Sequence, residues 1–321
     1  MPRIPAKKPA RKGAKKKGGR RFGLFCLFLF VAATLAAGVY FMLLYPGAPR
    51  KIAVPTLSGQ AKKKPQPQGA EPRGSLYEEP ALPHQAPPIA TPDKRPKTKP
   101  LPGRPLVAIV IDDMGNRQNT GRALLALDLP LSFSFLPFTP FSEELQKEAQ
   151  ARGRDILLHL PLEPMDQKWN PGPGALTTAM APEAMKDRFR EDLQAVPKAI
   201  GINNHMGSRF TANPQAMRAL LPLVRARGLF FLDSVTAANS VASDLAREMG
   251  VKTERRTVFL DNEQNPEKIM AQLDLLVQLA GAHGQAIGIG HPYPATVEAL
   301  RRYQTQLRAR TEMVGVSRLV H

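Results

Sequence analysis

The chain has 321 residues and a formal net charge of +18, and this charge is unevenly distributed. Residues 1–104 contain 21 Lys and Arg against 4 Asp and Glu, whereas residues 105–321 contain 24 against 23. The larger C-terminal part is therefore almost neutral. This excludes a nucleic-acid-binding domain, because such domains need an excess of basic side chains to contact phosphates.

The N-terminus has the pattern of a membrane anchor. Residues 1–21 are rich in Lys and Arg and contain no acid, and residues 22–45 form an uncharged apolar run. As a helix this run would span about 36 Å, enough to cross a bilayer. Basic residues before the run predict a cytoplasmic N-terminus. We therefore expect a basic cytoplasmic tail (1–21) and a transmembrane anchor (22–45).

This pattern predicts a single-pass protein of a bacterial inner membrane, with its C-terminal domain in the periplasm or another extracytoplasmic space. A cleavable signal peptide is the alternative interpretation, although its apolar region is usually only about 7–15 residues long.

Residues 46–104 are rich in Pro, Lys, Gln, Gly and Ala and contain few large apolar side chains. Such a segment buries too little apolar surface to offset the entropy lost on folding. It is expected to be a disordered Pro/Lys-rich linker, extended by its prolines. The folded domain is then residues 105–321.

From residue 105 onward, short apolar runs alternate with amphipathic stretches. The candidate strands are 107–111, 131–136, 155–158, 199–202, 229–232, 257–260 and 286–289. Helical patterns between them include 143–152, 182–195, 213–227, 238–249 and 266–282. This alternation predicts an α/β domain with a parallel sheet covered by helices, either a barrel or a doubly wound sheet.

Polar residues follow these candidate strands. They are Asp112 and Asp113, His159 with Glu163, Asn203 to His205, Asp233, Asp261 and His291. In parallel α/β folds, functional groups lie at the C-terminal ends of the strands. Singly, the aspartates could cap helices and His159 could be a hydrogen-bonded core residue. Together, acids and histidines at one end of a sheet indicate a divalent metal site, with zinc the best candidate.

Five motifs, in this order, carry a resemblance to a known family: IVIDDMG, DILLHLPLEP, GINNHMGSRFT, LFFLDS and IGIGHPYP. They resemble the divergent polysaccharide deacetylase family, a remote branch of the NodB-homology carbohydrate deacetylases. The resemblance covers roughly residues 105–307. It implies a distorted (β/α) barrel, here of about seven parallel strands.

The resemblance also implies roles for individual residues. Asp112 matches the general base of the parent deacetylases, and His291 matches the general acid. Asp113 and His159 match metal ligands, and His205 from the next strand is expected to complete the site.

Two further residues have open alternatives. Glu163 replaces the second metal-binding histidine of the parent family, and is expected either to bind the metal or to orient His159. Arg209 is expected either to stabilise an oxyanion or to pair with a buried acid.

Two parent motifs are missing. Residues 204–209 stand in place of an arginine–proline–aromatic motif, and no tryptophan motif lies near Asp233. The predicted function is a metal-dependent hydrolase that deacetylates an N-acetylated cell-envelope polysaccharide. One alternative is a catalytically silent barrel that binds glycan or protein partners in envelope remodelling. Another is a different metal hydrolase such as a phosphoesterase, which the neutral domain disfavours.

Overall fold

The computed structural model describes residues 103–321. The predicted tail, the predicted anchor and nearly all of the predicted linker lie outside the described residues. Between residues 103 and 321, no helix has both the length and the apolar character needed to cross a membrane.

Strands and helices alternate along the described chain, as the sequence pattern predicts. In order they are β1 (Leu106–Met114), α1 (Gln118–Leu125), β2 (Ser132–Phe135), α2 (Ser142–Ala151), β3 (Ile156–Leu162), α3 (Pro182–Ala195), β4 (Gly201–Met206), α4 (Ser208–Thr211), α5 (Pro214–Ala226), β5 (Phe230–Asp233), α6 (Ala242–Glu248), β6 (Thr253–Arg255), β7 (Val258–Phe259), α7 (Pro266–His283), β8 (Gln285–Gly290), α8 (Pro294–Arg310) and β9 (Glu312–Met313). A short 3₁₀ helix, Val316–Arg318, follows.

The strands form one sheet in the order β6-β5-β4-β3-β2-β1-β8-β7, with β9 added beside β1. Every strand pair is parallel. In the described part of the chain this order ends at β6 and at β7, so its eight strands form an open half-barrel, and β9 is a ninth strand beside β1. The predicted parallel α/β class is confirmed, and the sheet has more strands than the predicted number of about seven.

The two strands without a predicted counterpart, β6 and β9, are three and two residues long. Neither contains an apolar run, so the pattern gave no signal there. Four predicted strands also stop too early, because β1, β3, β4 and β5 continue into the polar residues that were expected to follow them.

Local sequence signals set the starts of several helices. Four of them, α3, α5, α7 and α8, carry proline in the first turn, where its missing N–H is not needed. Asn213 caps α5 by accepting the backbone N–H of Ala216. Asn265 caps α7 in the same way, accepting the N–H groups of Glu267 and Lys268.

Alternation along the strands divides the buried apolar residues into two clusters. On β1, Val107, Ile109 and Ile111 belong to the cluster that packs under the helices. Ala108 and Val110 belong to a second cluster, formed by inward-facing strand residues and the C-terminal segment. Since side chains alternate between faces, each strand covers both layers.

The C-terminal segment fills one end of the half-barrel. Val314, Val316 and Leu319 join the inner cluster, and the N–H of Val316 donates to Ser132 Oγ at the start of β2. The N-terminal ends of the strands are therefore closed by apolar packing, which leaves the C-terminal ends for the polar residues.

Candidate metal centre

A β-bulge in β1 brings two consecutive aspartates to the inner face. Ile111 pairs with Phe133 and Met114 pairs with Phe135, so Asp112 and Asp113 together lie opposite one residue of β2. Asp113 has a left-handed backbone, with φ of 53°. Adjacent strand residues normally point to opposite faces, and the extra residue removes this alternation locally. Both carboxylates therefore approach the same histidine.

Three ligand atoms converge at this point. Asp113 Oδ1 lies 3.2 Å from His159 Nε2 and 3.0 Å from His205 Nδ1. The two ring nitrogens are 3.2 Å apart. Both histidines are buried, and Asp113 is mostly buried.

These separations fit a bound divalent metal. With zinc bonds of about 2.0–2.1 Å, tetrahedral ligand atoms lie about 3.3 Å apart, close to the observed 3.0–3.2 Å. Asp113 Oδ1 is buried and its contacts to the two rings lack hydrogen-bond geometry. A buried carboxylate oxygen without a hydrogen bond is expensive unless a cation satisfies it. The donor set, one carboxylate and two imidazoles, is one that zinc accepts.

Asn203, beside this cluster, sets the tautomer of His159. Its Nδ2 donates to both oxygens of Asp112, at 2.8 and 2.9 Å, and to Ser234 Oγ at 3.1 Å. Its Oδ1 therefore faces His159 Nδ1, 3.0 Å away, and accepts from the Ser134 hydroxyl as well. An amide oxygen only accepts, so the His159 proton lies on Nδ1. The lone pair of Nε2 then points to Asp113, as a metal ligand requires.

Electrostatics separates the two aspartates. Burial raises the pKa of Asp112, and this exceeds the opposing effect of His159, His291 and the Asn203 hydrogen bond. Burial also acts to raise the pKa of Asp113, but the charge of His205 and contacts with both histidines hold it well below its usual range. Asp113 is thus anionic, as a metal ligand needs to be, whereas Asp112 is a carboxylate with an increased tendency to take a proton.

The pKa of His159 is raised although the residue is buried. Burial lowers its pKa, but the charge of Asp112 and contact with Asp113 outweigh this, so the pKa is raised. The pocket therefore favours positive charge at this position, which either a proton or a metal ion supplies.

A third histidine, His291, is fixed at the same end of the sheet. His291 Nδ1 lies 2.8 Å from Asp261 Oδ1, and both side chains are buried. The other oxygen of Asp261 accepts the backbone N–H of His291 and the hydroxyl of Thr296, each at 2.6 Å. The charge of His291 also acts to lower the pKa of Asp112. Asp261 therefore orients the imidazole and fixes its proton on Nδ1.

The structure places Glu163 and Arg209 away from the three ligand atoms. Glu163 Oε2 accepts the backbone N–H and the hydroxyl of Thr178, each at 2.7 Å. Its Oε1 lies 3.5 Å from Arg209 Nε, and Arg209 also donates to the carbonyl of Met165. Of the two readings of Arg209, pairing with an acid matches this geometry. The two predicted roles of Glu163, binding the metal and orienting His159, do not match this geometry. Its hydrogen bonds hold the β3–α3 loop instead.

The structure thus brings together Asp112, Asp113, His159, His205 and His291 from the predicted set. It adds Asn203 and Asp261, which sequence reasoning placed after strands without giving them a role. The sequence indicated them only by their position, because each lies where the next inward-facing residue of its strand is expected. Asp233, by contrast, accepts the N–H of Val235 and the hydroxyl of Ser240. These bonds stabilise the turn after β5.

Comparison with known proteins agrees with this architecture. A model of the family described as divergent polysaccharide deacetylase matches residues 109–320. An uncharacterized protein of Haemophilus influenzae is 37% identical over 213 residues, which cover 66% of this chain and 76% of that protein. The uncharacterized protein YibQ of Escherichia coli K12 is 37% identical over 215 residues, 67% of each chain. A crystal structure of an uncharacterized protein from Agrobacterium tumefaciens C58 is 29% identical, with a TM-score of 0.64, covering 70% of this chain and 93% of that one.

Proposed function

This chain belongs to the divergent polysaccharide deacetylase family, and we propose that it is a metal-dependent hydrolase acting on an N-acetylated polysaccharide of the cell envelope. The convergence of Asp113, His159 and His205 beside a separate buried carboxylate is the observation that carries the proposal. The extracytoplasmic location is part of the proposal and comes from the basic and apolar pattern of residues 1–45.

Asp113, His159 and His205 would hold the metal, for which zinc is the best candidate. A divalent ion there supplies Lewis acidity, which polarises a carbonyl oxygen and lowers the pKa of water. Asn203 supports the site by keeping His159 Nε2 unprotonated and by binding Asp112 at the same time.

Asp112 is proposed as the general base. Its nearer oxygen lies 3.7 Å from His159 Nε2, so it borders the ligand cluster without belonging to it. Burial raises its pKa, which makes it a better proton acceptor for a water molecule that attacks the acetamide carbon. Asn203 keeps this carboxylate in place through both oxygens.

His291 is proposed as the general acid. Asp261 holds the proton on Nδ1 and leaves Nε2 to exchange a proton with substrate. When the C–N bond breaks, His291 protonates the departing amine, so the products are acetate and an amino sugar. Glu163 and Arg209 would contribute indirectly, by holding the loop between β3 and α3.

The first test is elemental analysis of the full-length chain after addition of zinc, compared with its His205→Ala variant. We expect near-stoichiometric metal in the wild type and loss of more than nine tenths of it in the variant. The exposed His283 at the end of α7 provides a matched control, since His283→Ala should keep its metal.

Acetate release from N-acetylglucosamine oligomers and from peptidoglycan then tests turnover. Release by the wild type and not by Asp112→Asn supports the enzyme. A metal-loaded protein that binds these glycans but releases no acetate would instead be the catalytically silent barrel. A folded chain that holds no metal would exclude the enzymatic function.

A further inference from the structure

We propose that Arg256 is a positioning residue, whose guanidinium joins the strand ends that support the candidate general base to those that support the candidate general acid. This proposal rests on the proposed function, because Asp112 is taken as the base and His291 as the acid. It adds a residue that lies outside the five sequence motifs. It predicts that the two halves of the site keep their spacing only while this side chain is present.

Arg256 lies where the chain passes from one edge of the sheet to the other. β6 pairs with β5, whereas β7 pairs with β8, and only residues 256 and 257 separate β6 from β7. The backbone N–H of Arg256 donates to the carbonyl of Asp233 on β5, and the N–H of Thr257 donates to the carbonyl of Ile287 on β8. The two edges of the half-barrel therefore meet at Arg256.

On the side of the general base, the guanidinium holds the turn after β5. Its Nε donates to the carbonyl of Ser234 at 2.7 Å, and its Nη2 donates to the carbonyl of Val235 at 3.0 Å. The Ser234 hydroxyl accepts from Asn203 Nδ2 at 3.1 Å, and the same Nδ2 donates to both oxygens of Asp112. Ser234 and Asn203 therefore connect Arg256 to the candidate base.

This turn needs support because its backbone is strained. Val235 has a left-handed conformation, with φ of 52°, which is rare for a β-branched residue. Such a conformation persists only where the surrounding contacts enforce it. The N–H of Val235 donates to Asp233 Oδ1, and its carbonyl accepts from Arg256, so both of its peptide groups are fixed. Loss of the guanidinium would let the turn relax and would release Ser234 from its position beside Asn203.

On the side of the general acid, Arg256 packs on an aromatic ring. Its guanidinium carbon lies 5.2 Å from the centre of the Phe259 ring, within the range of a cation–π contact. The Phe259 ring lies 5.0 Å from the His291 ring, at an interplanar angle of 38°. Asp261 fixes the direction of His291 Nδ1, and the contact with Phe259 restricts the tilt of the imidazole. Arg256 therefore supports the candidate acid through a single intervening ring.

The charge of Arg256 is not neutralised by its hydrogen-bond partners, because both are backbone carbonyls. Burial lowers the pKa of Arg256 to about 10, against the opposing charges of Asp233 and Asp112, so the group stays protonated at neutral pH. A cation buried against neutral partners loses hydration, which reduces the stability that its hydrogen bonds add. The orientation of the site therefore explains this residue better than the stability of the fold does.

The first test compares acetate release from N-acetylglucosamine oligomers by the metal-loaded full-length chain and by its Arg256→Gln variant. We expect kcat to fall by about 10²-fold, since a displacement of about 1 Å in a catalytic group has an effect of this size. KM and the zinc content should stay within twofold of the wild type. Arg255→Gln is the matched control and should keep the wild-type kcat, because the Arg255 guanidinium bonds to Ser243 and Asp244 on α6.

Two further variants separate positioning from folding. Arg256→Lys keeps the charge but lacks the planar fork that bonds to two carbonyls, so its kcat should stay at least tenfold below the wild type. Arg256→Ala lacks the side chain beyond Cβ, which ethylguanidinium in solution can replace. Addition of ethylguanidinium should raise the kcat of Arg256→Ala at least tenfold and leave that of Arg255→Ala unchanged. Wild-type kcat in Arg256→Gln or Arg256→Lys, or failure of this rescue, would overturn the proposal.

Hydrogen exchange followed by mass spectrometry gives a readout that needs no turnover. In Arg256→Gln, the peptides that contain Val235 and His291 should both exchange at least tenfold faster, because their N–H groups donate to Asp233 and Asp261 in the two halves of the site. Arg255→Gln should leave both rates unchanged. Faster exchange in both peptides, without acetate release by the wild type, would keep the connection and reject the enzyme. Wild-type exchange in either peptide would reject the connection, whether or not the enzyme is active.

Discussion

Asp192 on α3 should make the stability of this protein fall as the pH rises. Its side chain is fully buried, and neither carboxylate oxygen has a hydrogen-bond partner among the described residues. Burial raises its pKa to about 8, with Glu191 adding to the rise and Arg188 opposing it. At neutral pH the native state therefore keeps this carboxyl group mostly protonated.

The sign follows from proton binding. The folded pKa lies above the unfolded value of 3.8, so the native state binds more protons than the unfolded state between pH 4 and 8. Stability is then greatest at low pH and is lost as the pH rises towards 8. Each pH unit in this range removes about 1.4 kcal/mol, so the loss between pH 5 and 7.5 is about 3 kcal/mol.

Asp192→Asn should abolish this loss, because the amide has the shape of the protonated acid and does not titrate. Urea unfolding of the wild type and of Asp192→Asn at pH 5, 6, 7 and 7.5 gives the difference between their unfolding free energies at each pH. The titration of all other groups contributes equally to both proteins and cancels in this difference. Asp187→Asn, an exposed site on the same helix, should follow the wild type at each pH. Parallel curves for Asp192→Asn and the wild type would refute the reasoning.

Two further predictions concern the metal centre, and a third concerns the turn after β4. Asn203→Ala should weaken zinc binding by about 10–100-fold in a chelator competition, because His159 loses the acceptor that orients it. Asp261→Asn should lower kcat for acetate release by about 10²–10⁴-fold while the metal content stays unchanged, because His291 loses its orienting carboxylate. Gly207→Ala should lower the free energy of unfolding by about 2–4 kcal/mol, since the new Cβ would lie 2.6 Å from Leu162 Cβ.

Each of these has a control. Asn262→Ala, at an exposed position, should bind zinc normally, and equal affinity in Asn203→Ala would contradict the role of Asn203. Wild-type kcat in Asp261→Asn would mean that Asp261 is only structural. Gly172 has the same φ of 84° as Gly207 but open space around it. Gly172→Ala should therefore show only the backbone part of the effect, and equal losses at both glycines would exclude the clash.

Sequence periodicity predicted the layers of this fold well. Every predicted strand is present, since runs such as 107–111 and 286–289 are apolar on both faces and typical of buried parallel strands. The ends of the strands were less predictable. His159 and His205 lie inside β3 and β4. On β3 the outer face stays apolar beside the histidine, through Leu158, Leu160 and Leu162. A polar residue after an apolar run is usually taken as the end of a strand. Here the strand continues, and the polar residue is the next side chain on its inner face.

The convergence of Asp113, His159 and His205 was predicted from the sequence, whereas the contacts of Asn203 and Asp261 were not. His159 and His205 lie in the inward phase of β3 and β4, whereas Asp113 reaches the inner face only through the bulge in β1. Asn203 and Asp261 act by contacts between strands, and such contacts depend on register. The pairing of His159 with Asn203 across β3 and β4 illustrates this, because a register shifted by one residue would separate them. The contacts of Glu163 with Thr178 and Arg209 depend on the path of the loop before α3, which periodicity does not predict.

The bulge in β1 also makes the metal centre separable from the fold. Removal of Asp113 would leave Ile111, Asp112 and Met114 in regular alternation, with Ile111 and Met114 still in the outer cluster where they already lie. The strand would keep its apolar faces and lose one ligand. A lineage could therefore gain or lose the metal through the insertion or deletion of a single codon, without any change to the residues that build the core.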